Sequence, residues 1–371
     1  MKKKIAYIHS HQHPASYNTL DQLIKKFPEY EVVEFDLVKI AKNNFFILLK
    51  NSFYLVKELG LSKALRGGNF KKLFFKSDYF FKQSKKIIDE LLSIEEYVFT
   101  FQRNSLFETS TGKIPHFIYT DHTHAENLKY PDYNEYLNYS PKYSSREKII
   151  FNKSTKNFVY ANNIKNSLVE DYLCPEDRVA IVGVGGSVSL ADNWEPINNN
   201  YKNKTIIFVG RDWNRKGGPE LIRAFKKVLL THPDAKLIIA GASPKIEIGN
   251  CEILGDISLE ELSIQYSRSS IFCLPTKREP FGIVFLDAMM HKLPVVATRI
   301  AALPDLIIEN ENGLLVEPGD VEQLTKSLIY LLDYPELCKR FGENAHNFVK
   351  NNYTWEKVGE RLRENILPFL D

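Results

Sequence analysis

Glu279 and Asp287 are two acids whose spacing could do chemistry. They lie in Lys277–Val296, K-R-E-P-F-G-I-V-F-L-D-A-M-M-H-K-L-P-V-V. This stretch follows an apolar run, Ser270–Pro275, that reads as a buried strand, and Pro294 closes it before another apolar run. Pro280 suits the first position of a helix, where its missing N–H would be an orphan anyway. On such a helix the two carboxylates stand about 12 Å apart along the axis and about 80° apart in azimuth. Both then address one extended ligand from nearly the same side, with the helix N-terminus between them. The N–H groups at Phe281, Gly282 and Ile283 suit a phosphate, and Gly282 allows close approach. An anionic centre with a hydroxyl-bearing ring at each end describes a nucleotide sugar. The plain alternative is an amphipathic helix whose N-terminal acid favours its dipole.

A second constellation is Phe208–Gly218, F-V-G-R-D-W-N-R-K-G-G, at a strand-to-helix turn. Ligands of open α/β sheets bind outside the carboxyl ends of the strands, which is where this turn falls. Arg211 offers a planar fork for two phosphate oxygens and Lys216 a mobile point charge beside it. Alone, the segment would pass for a solvated basic loop. His122 stands directly after another strand, His116–Thr120, with His124 two residues on. His9, His11 and His13 alternate as metal ligands sometimes do, but no acid accompanies them and no metal site is expected. Gly183-Val184-Gly185-Gly186 is followed by a polar stretch rather than a helix, so it is not read as a dinucleotide fingerprint.

The elements that must position these groups alternate. Strands are expected at Lys4–His9, Glu31–Phe35, Glu96–Phe101, His116–Thr120, Phe158–Ala161 and Val179–Val184, with a long helical stretch over Phe45–Lys86. After the Asn-rich Ser189–Lys204, a second series follows: Thr205–Val209, Pro219–Leu230, Lys236–Ala240, Leu259–Ser267, Ser270–Pro275, the helix above, and Val295–Thr298. Helices are expected near Val321–Leu332, Pro335–Lys350 and Trp355–Leu370. Such alternation predicts α/β architecture, two Rossmann-like doubly wound domains facing a cleft. The expected division is 1–190, a linker at 191–204, a second domain at 205–352, and a C-terminal helix at 353–371 crossing back to the first.

A chain of 371 residues with 44% hydrophobic and 26% charged residues is an ordinary globular composition. Its net charge of +3 does not argue for nucleic acid, but its distribution is uneven. Lys39–Lys86 holds twelve Lys or Arg against two acids, interleaved with Phe45-Phe46-Ile47-Leu48-Leu49, Phe53-Tyr54-Leu55 and Phe74-Phe75. Basic, aromatic-rich amphipathic helices dock on anionic membrane surfaces; the alternative is that these aromatics pack inward. Cys174, Cys251, Cys273 and Cys338 are widely spaced, which fits free thiols in a reducing compartment. No apolar run approaches the length of a membrane span, and the N-terminus is too brief for a signal peptide. A cytoplasmic protein is expected, with peripheral contact at the inner face of the membrane.

With these motifs in view, the chain resembles the family-4 retaining glycosyltransferases, whose signature has two glutamates separated by seven residues. The spacing is intact here, with Asp287 as the second acid. Ile253–Thr276, Glu311–Asp320 and Tyr353–Val358 are also similar to family segments, so the resemblance covers essentially residues 205–371 and is loose over 1–190. It departs at Arg299–Ile307, which lacks the paired glycines and glutamate usual there, and at Ser10–Ser16, which replaces a glycine-rich loop. The resemblance implies the GT-B architecture and transfer of a sugar, with retention, from a UDP- or GDP-linked donor to a glycan or lipid-linked acceptor. It implies that Arg211, Lys216 and the 281–283 amides hold the diphosphate, Glu279 the sugar hydroxyls and Asp287 the ribose. His122 would contact the donor sugar near the reaction centre, and neither metal nor cofactor would be needed. Two other classes remain: a glycoside hydrolase or phosphorylase using paired carboxylates, and a catalytically silent sugar-nucleotide binder.

Overall fold

Short apolar runs bounded by turns become strands, and the inner ones are buried on both faces, as parallel strands covered by helices must be. In the computed structural model, which describes residues 2–10, 14–65, 70, 73–130, 142–188 and 200–370, they form two six-stranded sheets. The first contains β1 (Lys4–His9), β2 (Glu31–Asp36), β3 (Tyr97–Arg103), β4 (His116–Thr120), β5 (Lys156–Val159) and β6 (Val179–Ile181). Its order is β2-β1-β3-β4-β5-β6. The second contains β7 (Thr205–Val209), β8 (Lys236–Ala240), β9 (Cys251–Gly255), β10 (Ile271–Leu274), β11 (Val295–Thr298) and β12 (Gly313–Val316). Its order is β12-β11-β10-β7-β8-β9, and every strand pairing in both sheets is parallel.

The chain divides into two compact units, Met1–Gly183 with Val358–Asp371, and Val184–Lys357. Of the expected linker, residues 191–199 lie outside the described residues, and Asn200–Asn203 is a 3₁₀ turn. No described helix is long and apolar enough to cross a membrane.

In the first unit, α1 spans Pro14–Lys26, α2 Phe45–Leu59, α3 Asp78–Leu92 and α4 Tyr143–Lys153. The stretch expected as one helical run over Phe45–Lys86 is therefore broken. Helix α2 stops at Gly60, a short helix covers Leu61–Leu65, and α3 restarts at Asp78. Local caps fix these limits. The Asn44 side chain accepts the Ile47 N–H at 3.2 Å, and Ser77 Oγ accepts the Phe80 N–H at 3.0 Å. Such caps contribute about 0.5–2 kcal/mol each. Both helices turn one face to a core containing Ile8, Ile47, Phe80, Ile88 and Phe107. Each of these side chains gains about 1.5–3 kcal/mol by leaving water.

The second unit contributes α5 (Gly218–Thr231) and α6 (Ile283–Met290), and α7 spans Trp355–Ile366. From Val358 onward α7 belongs to the first unit, where Val358, Leu362 and Ile366 are buried. There Arg363 lies 5.1 Å from the Phe27 ring and donates to Glu29 at 2.8 Å, and Arg361 donates to the Val182 carbonyl at 3.2 Å. Trp355, in the second unit, donates its indole N–H to Gly186 O at 3.0 Å.

Candidate functional site

The site of the second unit follows from its strand order. From β7 the chain moves to β8 on one side, while β10 lies on the other, so the loops after β7 and β10 part at a topological switch point. The first of these loops is Gly210–Gly217 and the second Pro275–Gly282. They are stitched together by backbone. Lys277 N–H donates to Arg215 O at 2.9 Å, and the Arg215 guanidinium to Arg278 O at 2.7 Å. Thr276 Oγ1 bonds to Arg278 O at 3.0 Å. Gly217 makes the approach possible: its φ is +79°, and a Cβ there would lie 1.9 Å from Pro275 O.

This stitching brings Lys216 and Glu279 together. Both are buried, 9% and 7% exposed, and their charged groups form an ion pair and hydrogen bond between the two loops. Arg211 does not join them. Its side chain is 85% exposed and pairs with Asp256 at 3.0 Å. The expectation that Arg211 and Lys216 act side by side thus meets one inward lysine and one outward arginine.

The start of α6 differs from the sequence expectation. Pro280 is not its first residue; the helix begins at Ile283 and Gly282 caps it with φ +95°. The reason is packing. Phe281 is buried, 2% exposed, near Tyr353, and a Cβ on Gly282 would lie 2.4 Å from the Phe285 ring. The loop is drawn out to seat Phe281, which leaves Glu279 ahead of the helix rather than on it. The intrahelical separation expected for Glu279 and Asp287 therefore does not apply. The first turn still leaves the N–H groups of Ile283 and Val284 without intrahelical partners, beside the Lys216–Glu279 pair.

Asp287 faces inward. It is 3% exposed, and its Oδ1 accepts the N–H groups of Ser187 and Val188 at 2.7 and 3.0 Å. Burial raises its carboxyl to about 6 against these stabilising bonds. A ribose contact was expected here; Oδ1 is engaged by the backbone of Ser187 and Val188, near the start of the unit.

In the first unit, His122 follows β4, and its Nδ1 lies 2.8 Å from Asp121 Oδ1. Burial opposes the charged imidazole, but the Asp121 carboxylate outweighs it and raises the His122 pKa. Burial would also raise Asp121; the His122 charge and the Arg103 guanidinium reverse this and hold it well below the carboxylate range. His124 is buried and pushed down to about 4 by burial. His124 N–H donates to Glu147 Oε2 at 3.0 Å, which Tyr172 OH also approaches, while Ser105 Oγ bonds to Oε1 at 2.5 Å. Glu147, Arg103, Arg215 and Thr276 were not singled out from sequence. The glycine pair 217–218 was the signal available for the loop stitching; a lone acid inside a basic helix gave none for Glu147. His11 and His13 lie outside the described residues. Among the described residues no group of three or more His, Cys, Asp or Glu is arranged to hold a metal ion.

Known structures share this fold. Sucrose-phosphate synthase from Thermosynechococcus elongatus superposes with a TM-score of 0.70 at 16% identity, over 99% of this chain and 98% of that one. Anabaena HepE, solved in complex with UDP, gives 0.69 at 13% identity over 98% and 100%. The class is thus the GT-B fold. In sequence, residues 192–348 match the family described as glycosyl transferases group 1. The capsular polysaccharide biosynthesis glycosyltransferase CapM of Staphylococcus aureus is 24% identical over 246 residues, 60% of this chain and 64% of that protein. The matches span 64%, 46% and 48% of three curated relatives. Over residues 192–348 the chain is thus similar to the group 1 glycosyl transferases.

Proposed function

We propose that this chain is a metal-independent retaining glycosyltransferase that moves a hexosyl unit from a UDP- or GDP-sugar to an acceptor hydroxyl in glycan, cell-envelope polysaccharide or glycolipid synthesis. The observation that carries this is the buried Lys216–Glu279 pair beside the start of α6 at the switch point. A cation poised in a crevice next to helix N–H groups suits a diphosphate, and a carboxylate beside it suits sugar hydroxyls. On donor binding, Lys216 turns to the diphosphate and Glu279 to the sugar, exchanging their mutual bond for two bonds to the ligand. Arg211, exposed and only surface-paired, is free to swing to the same diphosphate, since surface ion pairs hold weakly. His122 keeps the sugar contact that the family resemblance implies.

In the reaction the C1–oxygen bond to the diphosphate breaks. The acceptor oxygen bonds C1 on the same face, and its proton passes to the departing diphosphate oxygen. Lys216, Arg211 and the N–H groups of α6 stabilise the charge that grows there, an effect of several kcal/mol per well-placed group. Those groups supply the positive field that a divalent ion would otherwise provide.

The relatives support a glycan or lipid-linked acceptor: CapM is named for capsular polysaccharide, and a 31% identical relative in Corynebacterium glutamicum is a GDP-mannose-dependent mannosyltransferase acting on a phosphatidylinositol monomannoside. The exposed face of α2 supports reach to a membrane. Phe45, Phe46, Leu49 and Phe53 are 57–71% exposed, with Lys42, Lys50 and Lys57 exposed around them. An anionic lipid surface complements both features.

The test is a panel of UDP-, GDP- and ADP-sugars, read by donor hydrolysis and transfer, with and without EDTA. Glu279→Gln in a folded protein is expected to lose at least about 100-fold in turnover, as removal of a group bound to the reacting sugar does. Full activity in that variant, or turnover lost in EDTA and restored by manganese, contradicts the assignment. Nucleotide binding with no turnover on any donor selects the silent binder, a reading favoured by the outward Arg211 and the engaged Asp287.

A further inference from the structure

The loop after β4 carries two histidines in unlike surroundings. The His122 side chain is 36% exposed, whereas His124 is buried and packs edge-on against Tyr143, ring centroids 5.3 Å apart. A ligand outside the carboxyl end of this strand therefore meets His122. Beneath the loop stands Glu147, on α4 and only 1% exposed. Its Oε1 accepts the Ser105 hydroxyl at 2.5 Å, from the loop after β3. Its Oε2 accepts the His124 N–H at 3.0 Å and the Tyr172 hydroxyl. Ala125 fixes the direction of that last bond: its N–H donates to the Tyr172 oxygen at 3.1 Å, which leaves the phenolic hydrogen for Glu147. Two consecutive amides thus end on one carboxylate, His124 directly and Ala125 through the phenol. Thr123, just ahead of them, bonds Ser167 Oγ at 2.7 Å and accepts the Glu126 N–H at 3.0 Å.

A carboxylate is costly to bury, so the residue type needs a reason. Glutamine has the same shape, but only one of its two terminal atoms accepts, and here both do. The acid also adds charge. Burial opposes the charged form of His122; the Asp121 and Glu147 carboxylates favour it, and the Lys76 ammonium works against them. Lys76 lines one small cavity with Glu147, and burial pulls it down to about 8. His124 is neutral near pH 7, and Arg103 acts on Asp121. We propose that Glu147 is the positioning residue for His122: it sets the backbone of the loop that presents the imidazole and supplies the second negative charge acting on it. That His122 then meets the donor sugar rests on the transferase reading above; the hold of Glu147 on the loop does not.

The experiment compares the whole chain with Glu147→Gln and Tyr172→Phe, both close in shape to the residue replaced. Three readouts are taken: NMR titration of the His122 imidazole, hydrogen-exchange mass spectrometry over residues 121–128, and donor turnover. In Glu147→Gln, His122 should hold its proton about two- to ten-fold less tightly, since an attracting charge is gone. Exchange over 121–128 should quicken by about ten-fold or more. Turnover should fall by about ten-fold in kcat, with donor KM changed by less than about two-fold. Tyr172→Phe removes a bond and leaves the charge, so exchange quickens and kcat falls while His122 titrates as in the wild type. Coincident His122 titrations in the wild type and a folded Glu147→Gln overturn the proposal, and so does unchanged exchange in either variant. Should Glu147→Gln fail to fold, exchange in Tyr172→Phe decides. Both shifts in a chain whose wild type turns over no donor support the hold on the loop and sink the transferase reading.

Discussion

Asp287 shows how far a residue's type can be read before its surroundings are known. Its position in the signature was plain, but its direction was set by Ser187 and Val188, a hundred residues earlier in the chain, and no local pattern announces that pairing. The same holds for Glu279, whose partner Lys216 was identified as a cation but not as its counter-ion. Burial lifts the Asp287 carboxyl from 3.8 to about 6. The folded state then holds its proton more tightly than the unfolded chain, so stability falls as pH rises from about 4 to 6 and is flat above. At about 1.4 kcal/mol per unit, this is a cost of order 3 kcal/mol at neutral pH. Asp287→Asn keeps an oxygen for the two amides and removes that pH dependence. Urea unfolding at pH 4.5 and 7.5 is expected to show the variant gaining on the wild type at the higher pH; an unchanged difference rules the burial argument out. For His122, the Asp121 carboxylate raises the pKa above 6.5, so Asp121→Asn should bring it down. Two-dimensional NMR of the imidazole through pH 5–9 reads this directly, and coincident titrations in the two proteins would show that Asp121 does not hold the charge.

At the scale of elements, buried runs were the most legible. β1, β4, β7, β8 and β11 fall where the apolar pattern puts them, because strands covered on both faces are written as uninterrupted apolar residues. β9 was missed for the complementary reason: it is a half-exposed edge, Cys251–Gly255, without an apolar run. β12, Gly313–Val316, opens on a glycine that reads as part of the preceding turn, and only three apolar residues follow it. The limits of α2 and α3 depend on Asn44, Gly60 and Ser77, punctuation that an apolar count passes over. The face of α2 was undecidable from periodicity and is decided by packing: Ile47 and Leu55 point to the core, Phe46 and Phe53 to solvent. At 100° per residue, Phe45, Leu49, Phe53 and Phe46 share an arc of about 100°, and Lys57 and Lys50 border it within about 40° more. Vesicle co-sedimentation should therefore show binding to anionic but not neutral lipid. Phe46→Ser/Phe53→Ser should abolish it, and Lys42→Glu/Lys50→Glu or added salt should weaken it, by about 1 kcal/mol per lysine. Equal binding to neutral vesicles, or none at all, would count against a docking face.

On the scale of the whole molecule, the first unit is built from two separated stretches of chain, with Val358–Asp371 completing what Met1–Gly183 begins. That return was expected from the family resemblance; the side chains that secure it, Arg361 on Val182 and Arg363 on Lys26 and Glu29, were not. Removing residues from Val358 onward takes away buried Val358, Leu362 and Ile366 together with the cation over Phe27. Losses of about 2–5 kcal/mol per large side chain make such a truncation severely destabilising for the first unit. Calorimetry of the truncated chain should show the first unit melting well below its temperature in the full protein, while a nucleotide-stabilised transition of the second unit persists. A single unchanged transition would mean the tail is dispensable. The arrangement also sets an order of events at the ribosome. Chains are made at about 5–20 residues per second, so after Gly183 is made the first unit waits unfinished for roughly 10–40 s, while the second unit is synthesised, before its closing segment follows. During that interval Phe27 lacks the cation that covers it, and the apolar seats later filled by Val358, Leu362 and Ile366 stand open to water.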